Sequence, residues 1–169
     1  MAAPVYATGD VPSASAVNQW FVNVTAAYKT ATESVTSSTT LQDDDDLHVT
    51  VDASTVYDVS LVMFYDAATA GDIKVGFTYP ASATGTFIAT GIDPAGSSSA
   101  GDVTASADIA TAFNFGGIGT GTTVAAHIKG LLTVAGTAGT LQVQWAQVSS
   151  SGTATRVFAD SYLTLRRIA

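Results

Sequence analysis

The most constraining feature of this chain is the texture that begins after Lys29 and continues to the end, where threonine, serine, valine, alanine and glycine dominate. β-Branched residues favour strands, and the glycine and serine between them favour turns. Apolar and polar residues alternate in Leu141, Val143 and Trp145, which are separated by glutamines, and again in residues 47–51. We therefore expect residues 31–169 to form an all-β body with one buried face on each strand.

The strand pattern recurs in eight segments, which are residues 34–41, 47–51, 55–65, 73–79, 86–90, 123–134, 140–148 and 156–166. About eight short strands favour a single antiparallel β-sandwich or jelly roll. Residues 91–121 are crowded with small residues and predict a functional or mobile loop. Within that loop Ile109, Phe113 and Phe115 are apolar enough to pack, so we expect a short strand or contact patch to interrupt it.

The first thirty residues have a different pattern. Pro4, Gly9 and Pro12 predict an extended N-terminal arm, and from Ser13 onward an apolar stripe at helical spacing predicts one short amphipathic helix. The stripe consists of Val17, Trp20, Phe21, Val24 and Tyr28. Because so short a helix is marginal alone in water, we expect residues 1–30 to be an anchor or a trimer-organising element. Val5, Tyr6 and Val11 join the stripe as candidate anchor residues.

Composition excludes several classes of function. The 169 residues contain no cysteine, so disulfides, thiol nucleophiles and cysteine-ligated metals are absent. A net charge of -8 repels phosphate backbones and anionic lipid surfaces, and no run of about 18 apolar residues is present. We expect neither nucleic acid nor membrane as a partner. With two histidines, six basic residues and Glu33 as the single glutamate, we also expect no enzyme and no cofactor.

The densest charge is the run from Asp43 to Asp46, which offers the oxygen ligands that calcium prefers. A 12-residue calcium loop starting at Asp43 would need glycine and glutamate where the chain has His48 and Ser54. We favour a solvated turn between Leu41 and Leu47 that also blocks edge-to-edge strand pairing. The closing Arg166 and Arg167 suit an acidic partner, so these arginines and Asp43, Asp44, Asp45 and Asp46 are candidate polar contacts between subunits.

Other candidate motifs are weaker. Gly117, Gly119 and Gly121 resemble a phosphate loop but lack the strand and helix that such a loop joins, so a flexible turn is favoured. His48 and His127 sit on separate predicted strands without a metal-ligand spacing. The carboxylates that a glycosidase could pair offer no selective spacing, and they are Glu33, Asp58, Asp66, Asp72 and Asp160. The strand aromatics are expected in the core rather than on a sugar-binding platform.

Several segments resemble structural proteins of tailed bacteriophages. Residues 7–14 (ATGDVPSA) with Asn18 and Trp20 look like a short N-terminal element common in those proteins. Residues 32–47 (TESVTSSTTLQDDDDL) are similar to the start of a β-domain in small virion and minor tail proteins of phages that infect actinobacteria. The later segments follow in order as 65–74 (YDAATAGDIK), 130–147 (GLLTVAGTAGTLQVQWAQ) and 161–168 (SYLTLRRI).

The resemblance implies a non-enzymatic structural role and homotrimerisation around a β-rich body, with no catalytic residues to assign. A short arm, one helix and one β-domain favour a capsid decoration or head-fibre protein on the outer surface of the virion, bound to the major capsid protein. The alternative is a minor tail or tail-fibre protein, with other tail proteins and a host surface glycan as its partners.

Overall fold

The computed structural model describes residues 8–11, 13, 24–94 and 105–169. These residues contain twelve strands and no helix. The strands are β1 (Val24–Tyr28), β2 (Glu33–Val35), β3 (Gln42–Val51), β4 (Thr55–Asp66), β5 (Ile73–Thr78), β6 (Thr84–Thr90), β7 (Ala105–Asp108), β8 (Phe113–Phe115), β9 (Val124–Val134), β10 (Gly139–Ala146), β11 (Thr155–Val157) and β12 (Tyr162–Arg167). No described segment forms a helix with the length and apolar character needed to cross a membrane.

The strands form two antiparallel sheets, an arrangement consistent with a β-sandwich. The larger sheet has eight strands in the order β1-β12-β4-β9-β6-β7, with β11 joined to β4 and β2 joined to β11. The smaller sheet has the order β3-β10-β5-β8. All pairings are antiparallel in the described ranges, so the prediction of an antiparallel all-β body is confirmed.

The core is built from the inward-facing residues of both sheets. Leu141, Val143 and Trp145 are fully buried, and Leu47, Val49 and Val51 are buried with them, so the alternation predicted from the sequence is confirmed. The rings of Phe77 on β5 and Phe87 on β6 stack with centroids 5.4 Å apart. Because these two strands belong to different sheets, the aromatic pair ties the sheets together across the core.

The predicted helix is wrong for its last turn. Val24 and Tyr28 lie on β1, which pairs with β12 through five registered residues, while residues 14–23 lie outside the described ranges. Ala27 packs against the core from this strand, and Val24 and Tyr28 point outward. Without β1, strand β12 would be the edge of the sheet with unpaired backbone groups. Pairing with β12 stabilises residues 24–28 as a strand, whereas the helix prediction rests on the spacing of apolar residues alone.

The predicted count of about eight strands is too low. The four additional strands are β1, β7, β8 and β11, and β11 is additional because the predicted segment 156–166 divides into β11 and β12. These four strands have three to five residues each, too few for a periodic pattern to stand out. Two of them, β7 and β8, interrupt the predicted loop at residues 91–121 as expected. Ile109, Phe113 and Phe115 are buried there, so the prediction that they pack is confirmed.

Gly130 allows β9 and β6 to approach closely, and this contact generates a test of the fold. A Cβ at Gly130 would lie 2.3 Å from the Thr86 carbonyl oxygen and 2.7 Å from the Phe87 Cα, both backbone atoms that cannot rotate away. We expect Gly130→Ala to lower the free energy of unfolding by about 1–3 kcal/mol, as overpacking does in other cores. Gly136→Ala is the matched control, because a Cβ there meets nothing within 4 Å. The free energy of unfolding is measured by urea denaturation. An equal decrease in both variants would show that the close approach at Gly130 is not what makes its substitution costly.

Candidate functional site

The acidic run lies in a bulge of strand β3, and the predicted solvated turn is wrong. Along β10, Gln142 pairs with His48 and Gln144 pairs with Asp43, so four residues of β3 face a single residue of β10. The side-chain amide of Gln142 donates to the backbone carbonyl of Asp44 at 2.8 Å and holds the bulge open. A bulge re-aims side chains, and here it turns one aspartate inward.

That inward residue is Asp44, which is buried and accepts four hydrogen bonds. Its Oδ2 accepts from the Lys29 Nζ at 2.9 Å and from the indole Nε1–H of Trp145 at 3.1 Å. Its Oδ1 accepts the backbone N–H of Leu47 at 2.9 Å and that of Asp46 at 3.1 Å. A buried charge is tolerated when it is paired and fully hydrogen-bonded, and Asp44 meets both conditions.

Lys29 reaches this site from the other sheet. It follows β1 directly, and its backbone N–H donates to the Ser161 carbonyl at 2.7 Å while its carbonyl accepts from the Asp160 N–H at 3.0 Å. The ammonium group is fully buried and contacts Glu33 as well as Asp44. One lysine and two carboxylates therefore share a buried cluster, which we call the Lys29 cluster and which consists of Lys29, Glu33, Asp44 and Trp145.

Electrostatics in the Lys29 cluster favour retention of protons. Burial raises the pKa of Glu33 above its ordinary value, although the hydrogen bond from Lys29 opposes that shift. Burial lowers the pKa of Lys29, but the hydrogen bonds and charges of Glu33 and Asp44 together outweigh it, so the net shift is upward. The two shifts therefore have different causes, which are burial for Glu33 and the two neighbouring carboxylates for Lys29.

Asp43 and Asp46 have partners outside the Lys29 cluster. Asp46 Oδ2 accepts from the backbone N–H of Thr30 at 2.8 Å and from its hydroxyl at 3.1 Å, which lowers the pKa of Asp46. Asp43 accepts from the side-chain amide of Gln144 at 2.8 Å. Asp43 and Asp45 are exposed, whereas Asp44 is enclosed in its own subunit and is not placed for a contact with a neighbour.

The glycine-rich segment does not present free N–H groups. Gly117 donates to Asp72 Oδ1 at 2.8 Å, Gly119 donates to the Ala67 carbonyl at 2.9 Å, and Gly121 donates to Asp66 Oδ2 at 2.6 Å. Gly119 and Gly121 also have positive φ angles of 117° and 87°. The three backbone N–H groups that could bind a phosphate donate instead to residues 66–72 of the same chain. The glycine-rich segment 117–121 is therefore hydrogen-bonded to the β-sandwich.

Asp66 is the acceptor at the centre of that attachment. Its side chain is buried, and besides Gly121 it binds Arg156, with Nε donating to Oδ1 at 2.9 Å and Nη2 contacting Oδ2. The guanidinium lies 5.5 Å from the centre of the Phe158 ring. The Arg156 hydrogen bonds, together with the Gly121 N–H, hold the pKa of Asp66 below its ordinary value despite burial.

The second candidate site is the outer face of the larger sheet. Paired residues form three rows across this face, which are Val24, Arg166, Asp58, Leu131 and Thr86; Ala26, Thr164, Ser60, Lys129 and Ile88; and Tyr28, Tyr162, Val62, His127 and Thr90. Five large apolar or aromatic side chains on it are 39–67% exposed, and they are Val24, Tyr28, Ile88, Leu131 and Tyr162. An open concavity of about 660 Å³ lies between Asp58, Ile88, Lys129 and Leu131.

The two C-terminal arginines have partners within the chain. Arg166 Nη2 donates to Asp58 Oδ2 at 3.0 Å, and Arg167 Nη1 donates to Asp52 Oδ2 at 3.4 Å. Their predicted role between subunits stays a prediction. Of the candidate anchor residues, Val11, Val24 and Tyr28 are exposed, and the others, Val5, Tyr6, Val17, Trp20 and Phe21, lie outside the described residues.

The candidate ligands and acids do not converge. His48 is on the smaller sheet and His127 on the larger one, both exposed. No group of three metal-binding side chains occurs among the described residues. Glu33, Asp58 and Asp66 each pair with a basic residue, and Asp72 accepts from Gly117. Burial raises the pKa of Asp72.

Sequence reasoning missed the Lys29 cluster and the Arg156 pair. A lysine four residues before the single glutamate is a weak signal, and nothing in a run of four aspartates marks the second as the buried one. Asp44 and Trp145 are 101 residues apart, and Asp66 and Arg156 are 90 apart. Contacts of this range are decided by strand pairing.

Comparisons with known proteins give low similarity. Neither a protein-family model nor a curated protein matches the sequence. Among solved structures, the tripod from the baseplate of bacteriophage Tuc2009 aligns over 99% of this chain and 75% of its own, with 12% identity and a TM-score of 0.40. A structure of infectious bursal disease virus, Gx strain, aligns over 85% of this chain and 40% of its own, with 12% identity and a TM-score of 0.21. These scores are too low to support an inference about function.

The Asp66–Arg156 pair predicts a specific pH dependence of stability. Folding lowers the pKa of Asp66, so its ionised carboxylate stabilises the folded state at pH values above the unfolded pKa of about 4. This stabilisation is lost as the pH falls through the lower pKa of the folded state. We expect Asp66→Asn to unfold at lower urea than the wild type at pH 7, with the two midpoints converging below about pH 4.

The exposed pair of Asp52 and Arg167 supplies the control for that experiment. The side chain of Asp52 is 73% exposed, so Asp52→Asn should change the midpoint little at any pH. Parallel pH profiles for Asp66→Asn and the wild type would show that the Asp66 carboxylate contributes nothing through its charge.

Proposed function

We propose that this protein is a non-enzymatic structural protein of a phage virion, a capsid decoration or head-fibre protein that assembles as a homotrimer on the outer shell. The major capsid protein and two further copies of the chain are its partners. The resemblance of residues 32–47, 65–74, 130–147 and 161–168 to small virion proteins supports the class of protein.

The observation that carries the proposal is the outer face of the larger sheet. One exposed apolar residue is ordinary on a soluble protein, but this face carries five, three on the neighbouring strands β1 and β12 and two on the neighbouring strands β9 and β6. Such an accumulation on one face is the pattern of an interaction surface. Tyr28 and Tyr162 are directly paired, and aromatic side chains of this kind are enriched in protein interfaces. Contact of this face with a neighbouring protein would bury these exposed apolar side chains and so favour association.

The edge strand β1 adds a second means of contact. It pairs with β12 on one side, and among the described strands nothing pairs with its other side. An edge strand with exposed Val24 and Tyr28 offers both backbone groups and apolar side chains to a neighbouring chain. Residues 1–23 lead into this strand, so an anchor segment there would enter the body at the same edge.

The engagement of the acidic groups supports a structural role. Glu33, Asp44 and Asp66 are tied to basic side chains and backbone donors, and Asp58 is paired with Arg166. A general acid or base that acts on a bound substrate must lie within its reach, and these carboxylates are instead engaged with groups of their own chain. Catalysis by this protein is not part of the proposal.

Cryo-electron microscopy of the intact particle tests the proposed location. We expect density for this protein in many copies on capsomer axes, with three chains around each axis. A few copies confined to the tail would overturn the shell assignment and support a tail protein that binds the host surface. Peptidoglycan or glycan turnover by the purified protein would overturn the non-enzymatic assignment.

A substitution on the outer face tests the proposed contact surface. Leu131→Asp replaces an exposed apolar residue of this face with a carboxylate beside Asp58, and we expect the variant to lose binding to undecorated capsids while it stays folded. Thr50→Asp is the matched control, because Thr50 is an exposed strand residue on the smaller sheet. Capsid co-sedimentation with circular dichroism of both variants gives the answer, and undiminished binding by Leu131→Asp would exclude this face.

A further inference from the structure

The Lys29 cluster places an amine against a carboxyl group in a closed site. The Nζ of Lys29 and the Oδ2 of Asp44 are 2.9 Å apart, and both side chains are fully buried. Glu33 contacts the same Nζ and is only 19% exposed. An amine that contacts both a carboxyl group and a second acid supplies the components that amide formation requires.

We propose that Lys29 and Asp44 are joined by an isopeptide bond between Nζ and Cγ, formed within the folded chain with Glu33 as the proton carrier. The bond would be a covalent modification at a site that the resemblance to virion proteins does not suggest. It is independent of where the protein sits on a particle.

The step balances without any co-reactant. A first proton moves from the Lys29 ammonium through Glu33 to Asp44 Oδ2, which leaves a neutral amine and a neutral acid. The Nζ lone pair attacks Cγ and forms the C–N bond, and a second proton moves from Nζ through Glu33 to Oδ2. The Cγ–Oδ2 bond then breaks, Oδ2 departs as water, and Glu33 returns to its starting form. Nothing is oxidised or reduced.

The hydrogen bonds around Asp44 are arranged for this step. The oxygen that stays, Oδ1, faces the backbone N–H groups of Asp46 and Leu47, a pair of fixed donors where negative charge develops in the tetrahedral intermediate. The oxygen that leaves, Oδ2, accepts from the Trp145 Nε1–H at 3.1 Å. The acidic bulge thus supplies an oxyanion site from its own backbone.

Burial and fixed geometry favour formation of the bond. Holding two reactants in contact replaces a bimolecular encounter and raises their effective concentration to about 10⁵–10⁸ M in well-oriented cases. Glu33 contacts the Lys29 Nζ directly, so this carboxylate is placed to receive the proton that the amine must lose. The closed site also keeps solvent water from the new amide.

The bond would connect the two sheets. Lys29 continues from β1 of the larger sheet, and Asp44 lies on β3 of the smaller sheet. The chain contains no cysteine, so disulfides cannot provide this connection. A covalent link here would fix the edge strand β1 to the body and constrain the unfolded chain as a disulfide does.

The mass of the intact full-length protein tests the proposal directly. We expect the purified wild type to be lighter than its sequence mass by one water, about 18 Da. A wild-type mass equal to the sequence mass after prolonged incubation of the folded protein would overturn the proposal and leave an ion pair. This measurement needs no variant, so a substitution that prevents folding cannot obscure it.

Cleavage after the single glutamate locates the bond. Glu33 lies between Lys29 and Asp44, so a glutamate-specific protease applied to denatured protein should cut the chain into residues 1–33 and 34–169 that remain joined. Separation of the two fragments on a denaturing gel would overturn the proposal even if water had been lost, because a cyclised aspartate would also lose water but would not hold the fragments together.

Variants assign the individual roles. Lys29→Arg keeps the positive charge but removes the nucleophilic amine, and we expect the full sequence mass. Lys74→Arg is the control, because Lys74 donates to the Thr39 carbonyl outside the cluster, and it should keep the loss of water. Loss of water in Lys29→Arg would overturn the proposal, and loss of water at the wild-type rate in Glu33→Gln would overturn the role of Glu33.

Discussion

The buried carboxylate of Asp44 is the interaction on which much of the structure depends. It joins three elements at one point, since Lys29 follows β1, Asp44 lies on β3 and Trp145 lies on β10. A buried carboxylate requires a cation and donors for both oxygens, and the bulge of β3 supplies two of those donors from its own backbone. Asp44 therefore acts as an internal structural element, while Asp43 and Asp45 of the same run are exposed to solvent.

Buried or partly buried carboxylates also hold the glycine-rich segment 117–121 in place. Asp66 and Asp72 lie at the two ends of the connection from β4 to β5, and each accepts a backbone N–H from the segment 117–121. Arg156 on β11 balances the charge of Asp66 from the far side. The carboxylates of the β4–β5 connection thus accept backbone N–H groups of residues 117–121 that no strand in the described part of the chain pairs with. Because these N–H groups are already used, they are not available to bind an anion.

The two sites have different relations to function. The Lys29 cluster is closed and serves the stability of the body, whereas the outer face of the larger sheet is open and presents Tyr28, Tyr162 and Leu131 to solvent. They meet at β1, because Lys29 fixes the end of the strand that exposes Tyr28. In the proposed assembly, a firm attachment of this edge strand would hold β1 on the sheet when a neighbouring chain binds to it.

The sequence by itself determined the all-β class, the long strands and most of the core, because alternation in segments such as 47–51 and 141–145 fixes which face is buried wherever the strand is long. It also placed Ile109, Phe113 and Phe115 in a packed patch. Only the tertiary structure decided that Val24–Tyr28 is a strand and that Asp44 is the buried aspartate. Both depend on partners more than 100 residues away, Tyr162–Arg167 and Trp145, and local spacing carries no information about such partners.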